Sequence, residues 1–533
     1  MLGKLHIADL LKQNIIWVVI ISTFFLCLLF IHLRLNQYAL DDAYIHFRIV
    51  ENWINDGLPY FNINEPVKAS SSSAWIATLF ILQQIFHSVG KQVDMLFIVA
   101  ILNSLSLTAG MTIFYLLYLR VSKSKPRNLY QIAFSLIFIS LTINSSLGLM
   151  ETPTTIAIVG IAFLLLFSGK KFSFTLFGLA IFFRLEMGLL FLIIVLYSLY
   201  SKRFNIKDIV IYSSLGIIPF LIFDYYFYGT LIPNTIHAKS TIYSLTVIDQ
   251  IAIIFSRIGN SYRLLPRYDN LSNLYLFILI FFPLIILSVY GFQLIRARRN
   301  ILGIEGLLYL FWGLGIISMY LISGVLIFIW YEPLFMIPLF IVIFSFLTIK
   351  IEEKYSYIAK SILVTLVLIQ SIALIQVLSA ALINPAYLPG FPEGARARQY
   401  ISIGKSLYQD YPNARLMTSE IGGLGYGFRG YILDSAGLVS PQVLDYPGIN
   451  KSGGKIITEF IKDAKPEIIV SYDIFIDEDF VEESSGDYTI QFVPVFSKED
   501  MDWSIITTPW GDSYQRVPWW AEDLLVLVSR DIY

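Results

Sequence analysis

Asp41-Asp42-Ala43-Tyr44-Ile45-His46-Phe47-Arg48 begins about ten residues past the first long apolar run, Asn14 to Ile31. If that run crosses a bilayer, the two carboxylates stand where the chain leaves the lipid. Ionisable groups at mid-bilayer cost ~2.5 to 3.5 kcal/mol on insertion scales, less near the interface, so they face a wet cavity and act there. The composition fits this placement. Of the 533 residues 56% are hydrophobic and 14% charged, with a mean hydropathy of +0.68. Apolar stretches longer than ~18 residues recur up to residue 382, the pattern of a polytopic α-helical membrane protein. A formal net charge of -1 favours neither nucleic acid nor an acidic partner. Cys27 is the single cysteine, and the five histidines form no zinc-type spacing.

Lys4 and Lys12 precede the first run, which lacks a small-x-small cleavage site and is expected to be an uncleaved anchor with its N-terminus in the cytoplasm. Basic residues concentrate in cytoplasmic loops. Placing the clusters at 120–127, 170–171, 202–207, 296–299 and 350–360 inside predicts crossings near 95–119, 130–148, 153–168, 172–184, 187–200, 208–227, 273–294, 304–325, 333–349 and 357–382. With the anchor that makes about eleven transmembrane helices. Residues 43–56 and Ala74 to Gly90 are then interfacial helices on the outer face, and 247–258 lies on the membrane within a long outer loop. The segments 172–184 and 187–200 are too short to cover ~30 Å each way at 1.5 Å per residue. Their turn, Arg184-Leu185-Glu186, is therefore expected below the outer surface, in a cavity.

From about residue 384 the composition turns polar. The chain divides into a membrane domain, 1–383, and an extracytoplasmic soluble α/β domain, 384–533. Helices are expected at 394–410 and 452–463, and strands at 414–419, 430–434, 467–472, 487–497, 503–507 and 523–529. Gly422-Gly423-Leu424-Gly425-Tyr426-Gly427 is expected to be a tight turn rather than a phosphate cradle.

Several groups have structural readings beside functional ones. Asp41-Asp42 fits the start of a helix. Arg184 and Glu186 fit a mutual ion pair, Glu151 the N-terminal charge of a helix beginning at Pro153, Lys239 and His237 interfacial side chains, and Trp330-Tyr331 an aromatic belt.

The order of these motifs resembles the GT-C glycosyltransferases, most closely the family of the mycobacterial terminal arabinofuranosyltransferase. The likeness runs through Asp41-Asp42 to Trp75, Gly148-Leu149-Met150-Glu151-Thr152, Arg184-Leu185-Glu186, Tyr226 to Lys239, Trp330-Tyr331 and Asp434-Ser435-Ala436-Gly437-Leu438. Lys68-Ala69-Ser70-Ser71 and Leu185 depart from the family pattern, which leaves the sugar open. The resemblance implies transfer of a sugar from a polyprenyl-phosphate donor to a hydroxyl of a cell-envelope glycan, lipid or protein, at the outer face of the plasma membrane. Such a reaction needs a carboxylate for the acceptor proton and cations for the leaving phosphate. Asp41 is the candidate base, with Asp42 a second carboxylate for sugar hydroxyls or a divalent metal, and like-charge proximity allows the roles to be exchanged. Arg48, Arg184, His237 and Lys239 are phosphate candidates; Tyr44, Glu151, Glu186, Asn234 and Tyr331 complete the expected substrate-binding set. The rival from another class is a lipid or sugar transporter or flippase, which would carry its charges at the midplane on repeated halves.

Overall fold

The computed structural model describes residues 15–532 apart from 92, 125–127, 243–245, 252–253, 255–302, 352–355, 386–387, 389–390, 450–454, 473–474, 477–479, 482–485 and 496–522. The expected crossing 273–294 and strand 503–507 lie outside the described residues, as does part of 247–258.

Helix α1 (Ile15–Leu35) leads through a 3-10 turn at Asn36–Tyr38 into α2 (Asp41–Asp56), which Gly57 ends in the left-handed conformation, φ 77°. Both aspartates thus belong to the first turn of α2, where negative charge complements the helix dipole. Then come α3 (Ser73–Ser88), α4 (Met95–Ser122), α5 (Asn128–Leu147), α6 (Thr152–Phe167), α7 (Ser173–Phe183), α8 (Met187–Ser201), α9 (Ile206–Tyr228) and α10 (Asn234–Ile242). Helices α11 (Gly303–Ser323), α12 (Glu332–Ile351) and α13 (Ser356–Leu382) complete the apolar part. Local signals set several ends. Asp94 accepts from Leu96 N (3.0 Å) at the start of α4, and Asn205 from Asp208 N (2.8 Å) at the start of α9.

Among the described residues six helices are long and apolar enough to cross a membrane: Val18–Tyr38, Met95–Ser122, Leu129–Leu147, Ile206–Tyr228, Gly303–Ser323 and Glu332–Ile349. Helices α6, α7 and α8 are apolar but shorter. With 11 and 15 residues, α7 and α8 are roughly 16 and 22 Å long. Their turn is buried within the protein, with Arg184 and Glu186 4% and 7% exposed. Helix α4 packs against α1, α5, α6 and α12, while α9 lies on α7.

The tail is a small α/β unit. Helix α14 (Phe391–Asp410) precedes β1 (Arg415–Thr418), α15 (Gly423–Phe428), β2 (Tyr431–Asp434), α16 (Thr458–Ala464), β3 (Ile468–Ser471), β4 (Tyr488–Val493) and β5 (Leu524–Ser529). The five strands form a mixed sheet in the order β2-β1-β3-β5-β4. Strand β1 runs parallel to β2 and β3, with Leu416 opposite Ile432 and Ile468, whereas β5 is antiparallel to β3 and β4. The glycine run expected as a tight turn is instead the helical turn α15. Its glycines permit close contact with α14: a Cβ at Gly423 would stand 2.5 Å from Ala397 O.

Candidate functional site

Helix α2 advances about 100° per residue, so Asp41 and Asp42 serve different faces. The Asp41 face meets the tail. Asp41 Oδ1 and Oδ2 accept hydrogen bonds from Gly423 N (2.7 Å) and Gly422 N (3.1 Å), so the carboxylate caps α15 across the domain junction. A Cβ at Gly422 would meet the same carboxylate, with Asp41 Cγ at 2.5 Å. Seven residues on, Arg48 donates to Phe61 O (2.9 Å), Gly430 O (2.6 Å) and Gly425 O, its guanidinium 4.3 Å from the Phe61 ring centre. The Tyr44 ring lies 5.4 Å from that of Tyr426. Asn62 exchanges hydrogen bonds with Ile432 O (2.9 Å) and Ile432 N (3.1 Å). Asn234, at the start of α10, donates to Gly437 O (2.6 Å) and Leu438 O (2.9 Å). Those carbonyls belong to a loop ordered by Asp434, which accepts from Ala436 N (2.8 Å) and Val439 N (2.9 Å); burial pushes the Asp434 carboxyl up to about 6.

Four expected site residues, Asp41, Tyr44, Arg48 and Asn234, are thus committed to seating the tail. Replacing Arg48 by Ala would remove three hydrogen bonds; Phe61 O and Gly425 O would keep Asn52 Nδ2 and Arg429 N, but Gly430 O would lose the Arg48 donor, at ~1 to 3 kcal/mol where it stays buried. The expected result is faster limited proteolysis of residues 384–533, with the apolar part still protected.

The surroundings of Asp41 predict a pH response at this junction. Burial, then the neighbouring Glu420 charge, pushes its carboxyl up to about 7, against the pull of Gly423 N–H and Arg396; Asp42 adds to the rise. Burial also raises Glu420, against Arg396. A carboxyl raised on docking gives its full stabilisation below the ordinary aspartate range and loses it as the pH climbs through about 7. The thermal midpoint of the tail should therefore rise on going from pH 8 to pH 6, and Asp41→Asn should shrink that change.

The other face of α2 carries Asp42 and, one turn on, His46, and here the remaining candidates gather. Arg184, in the α7–α8 turn, makes a two-pronged pair with Glu186 through Nη2–Oε1 (2.6 Å) and Nε–Oε2 (3.2 Å). Its Nη1 donates to Glu151 Oε1 (2.6 Å), at the start of α6. Ser72 Oγ also donates to Glu151 Oε1 (3.3 Å), and Tyr320 Oη of α11 donates to Glu186 Oε1. The Arg184 guanidinium lies 3.8 Å from the Tyr331 ring centre. Lys239 of α10 contacts Tyr331 Oη (3.3 Å) and stands 4.6 Å from the Phe328 ring centre.

The charges of Glu151, Asp42, Arg184 and Lys239 all act on the His46 imidazole, which burial holds below its ordinary range. Burial pulls Lys239 down as well, but Tyr331 and Asp42 outweigh it and raise its pKa. Three carboxylates and two cations from segments far apart in sequence therefore share one enclosure. Two of its polar atoms, His46 Nδ1 and Glu151 Oε2, are buried with no hydrogen-bond partner, while their residues are 7% and 0% exposed. Such atoms cost free energy unless something polar meets them.

Of the expected residues, Asp42, Glu151, Arg184, Glu186, Lys239 and Tyr331 are brought together. His237 is not: two residues from Lys239 on α10, it lies about 200° around the helix and is exposed. The sequence reading missed His46, Ser72 and Tyr320. His46 was within reach of a helical reading, four residues from Asp42, whereas nothing in the sequence tied Ser72 to Glu151 or Tyr320 to Glu186. Lys68, noted only as a departure from the family pattern, is buried and pairs with Asp224 Oδ2 of α9 (2.5 Å), while Asp224 Oδ1 accepts from Ser73 Oγ (2.5 Å). Lys68 O accepts from Asn234 N (3.0 Å), so the pair seats the start of the helix that bears Lys239. Among the described residues no group of three or more His, Cys, Asp and Glu side chains is placed to hold a metal ion.

No curated protein matches the chain. One family model matches residues 392–521, under the description Domain of unknown function (DUF8728). The match starts at the second residue of α14 and ends before β5, so it covers the tail and none of the membrane-length helices.

Proposed function

We propose that the protein is an integral-membrane glycosyltransferase of GT-C type that moves a sugar from a polyprenyl-phosphate donor to a hydroxyl of an envelope glycan, lipid or protein. In this reading about eleven helices cross the plasma membrane, the N-terminus is cytoplasmic, and the charged enclosure and the tail lie outside. The observation that carries it is the convergence of Asp42, His46, Glu151, Arg184 and Lys239 from four separate segments, with two buried polar atoms left unmet.

Asp42 takes the role of base. Its carboxylate accepts the proton of the acceptor hydroxyl as that oxygen bonds to the anomeric carbon. The bond from that carbon to the phosphate oxygen breaks, and its electron pair leaves on the polyprenyl phosphate. Lys239 is the better-placed cation for the leaving phosphate, because Arg184 already spends its guanidinium on Glu151 and Glu186. Arg184 instead fixes the two glutamates, whose remaining acceptor capacity suits sugar hydroxyls. His46 Nδ1 is available for a third polar contact.

The deciding experiment offers purified protein a panel of labelled polyprenyl-phosphate sugars with envelope acceptors. Consumption of one donor with release of polyprenyl phosphate is expected. Movement of the intact donor across a vesicle membrane, with no sugar released, would favour a carrier instead.

A further inference from the structure

A second feature lies away from the charged enclosure, beginning more than a turn past Glu186 along α8. Between α8 and α9 runs a crevice of about 310 Å³, lined by Phe191 and Val195 on one side and on the other by four aliphatic residues of α9, Ile209, Val210, Ile217 and Ile218, with Ser213 and Ser214 between them. It follows α9 for ten residues, roughly 13 Å, and no charged side chain lines it. Its outer edge faces outward, with Val210 and Ile218 57% and 48% exposed. The Ile209 end lies within a turn of the start of α9, beside the connection between the two helices, where Lys202, Arg203 and Lys207 are exposed. The preceding turn brings Lys170 and Lys171 to the same place: Arg203 Nη2 donates to Phe167 O (2.8 Å), and Lys171 pairs with Asp208 (2.9 Å). An apolar channel that closes on a basic turn has the charge and shape of a lipid with an anionic head.

We propose that this crevice binds an anionic glycerophospholipid, one acyl chain lying between α8 and α9 and the phosphodiester resting on Lys202 and Lys207. Val210 and Ile209 hold the chain just inside the lysines, so head and tail are recognised by adjoining turns of one helix. The inference rests on the membrane placement proposed above and is independent of sugar transfer.

Alkaline extraction of membranes containing the protein, scored first, tests the membrane placement by itself. Native mass spectrometry of the purified full chain then compares phosphatidylglycerol with phosphatidylcholine of the same acyl chains. Preferential retention of phosphatidylglycerol is expected. Lys202→Ala with Lys207→Ala should cut it roughly 30-fold, to the level of the neutral lipid. Val210→Trp, which fills the crevice and leaves the lysines in place, should lower retention of both lipids. Equal retention of the two lipids by the wild-type protein, or a preference that survives the double variant, overturns the proposal. Displacement of phosphatidylglycerol by an equal concentration of polyprenyl phosphate overturns it too, because the crevice would then belong to the donor chain.

Discussion

Asp42→Asn is expected to lower sugar transfer ~10²- to 10⁴-fold, the usual worth of a positioned base, while the protein still inserts and melts as the wild type does. The amide keeps the shape of the side chain but cannot take a proton. Asp42 lies on the face of α2 that His46, Lys239 and Glu151 share, and it reaches the tail's seat only through its charge, which adds to the rise of Asp41 and Glu420. Asp41→Asn makes the contrast. That side chain is bonded to Gly422 N and Gly423 N, and its replacement should alter the pH dependence and protease resistance of the tail more than the rate of transfer. Initial rates with the donor identified above, measured beside limited proteolysis, separate the two. Full activity in Asp42→Asn together with loss in Asp41→Asn would reverse the assignment.

Arg184→Leu is expected to be the most destabilising single change, by about 3 to 5 kcal/mol, because it leaves the buried Glu151 and Glu186 without their cation. A thermal melt in detergent, compared at one scan rate because such proteins unfold irreversibly, should show a large fall. Adding Glu151→Gln and Glu186→Gln removes the stranded charge and should recover much of that loss. Transfer should be absent in the triple variant, since the polar groups proposed to hold the sugar have gone. Effects that simply add across the three sites would mean that the groups do not act as a unit.

Parts of this arrangement were legible from the residues alone. That α7 and α8 are short followed from lengths: a round trip in the 29 residues 172–200 cannot cover two membrane thicknesses, and the turn between them, with Arg184 and Glu186, is buried within the protein. The strands of the tail followed from short apolar runs, and all five, β1 to β5, fall within the expected limits. Which of two adjacent aspartates faces the enclosure was not legible, because the phase of a helix is set by what packs on it, and the partner of Asp41 is some 380 residues away. Arg48 and Asn234 were expected to bind substrate for a similar reason. A guanidinium or amide that suits an oxyanion equally suits a carbonyl, and the carbonyls came from the tail. The helical form of residues 423–428 depended on the same distant contact, through the Asp41 cap.

Arg48, Asn62, Asn234 and Asp41 all grip main-chain atoms of the tail: carbonyls of residues 425, 430, 432, 437 and 438, and amides of 422, 423 and 432. Side chains at those tail positions are therefore not what is recognised. What the path of the chain does demand is room: a Cβ at Gly422, Gly423 or Gly425 would stand under 3.0 Å from Asp41, Ala397 or Phe61, so tails that dock alike should share these glycines while drifting elsewhere.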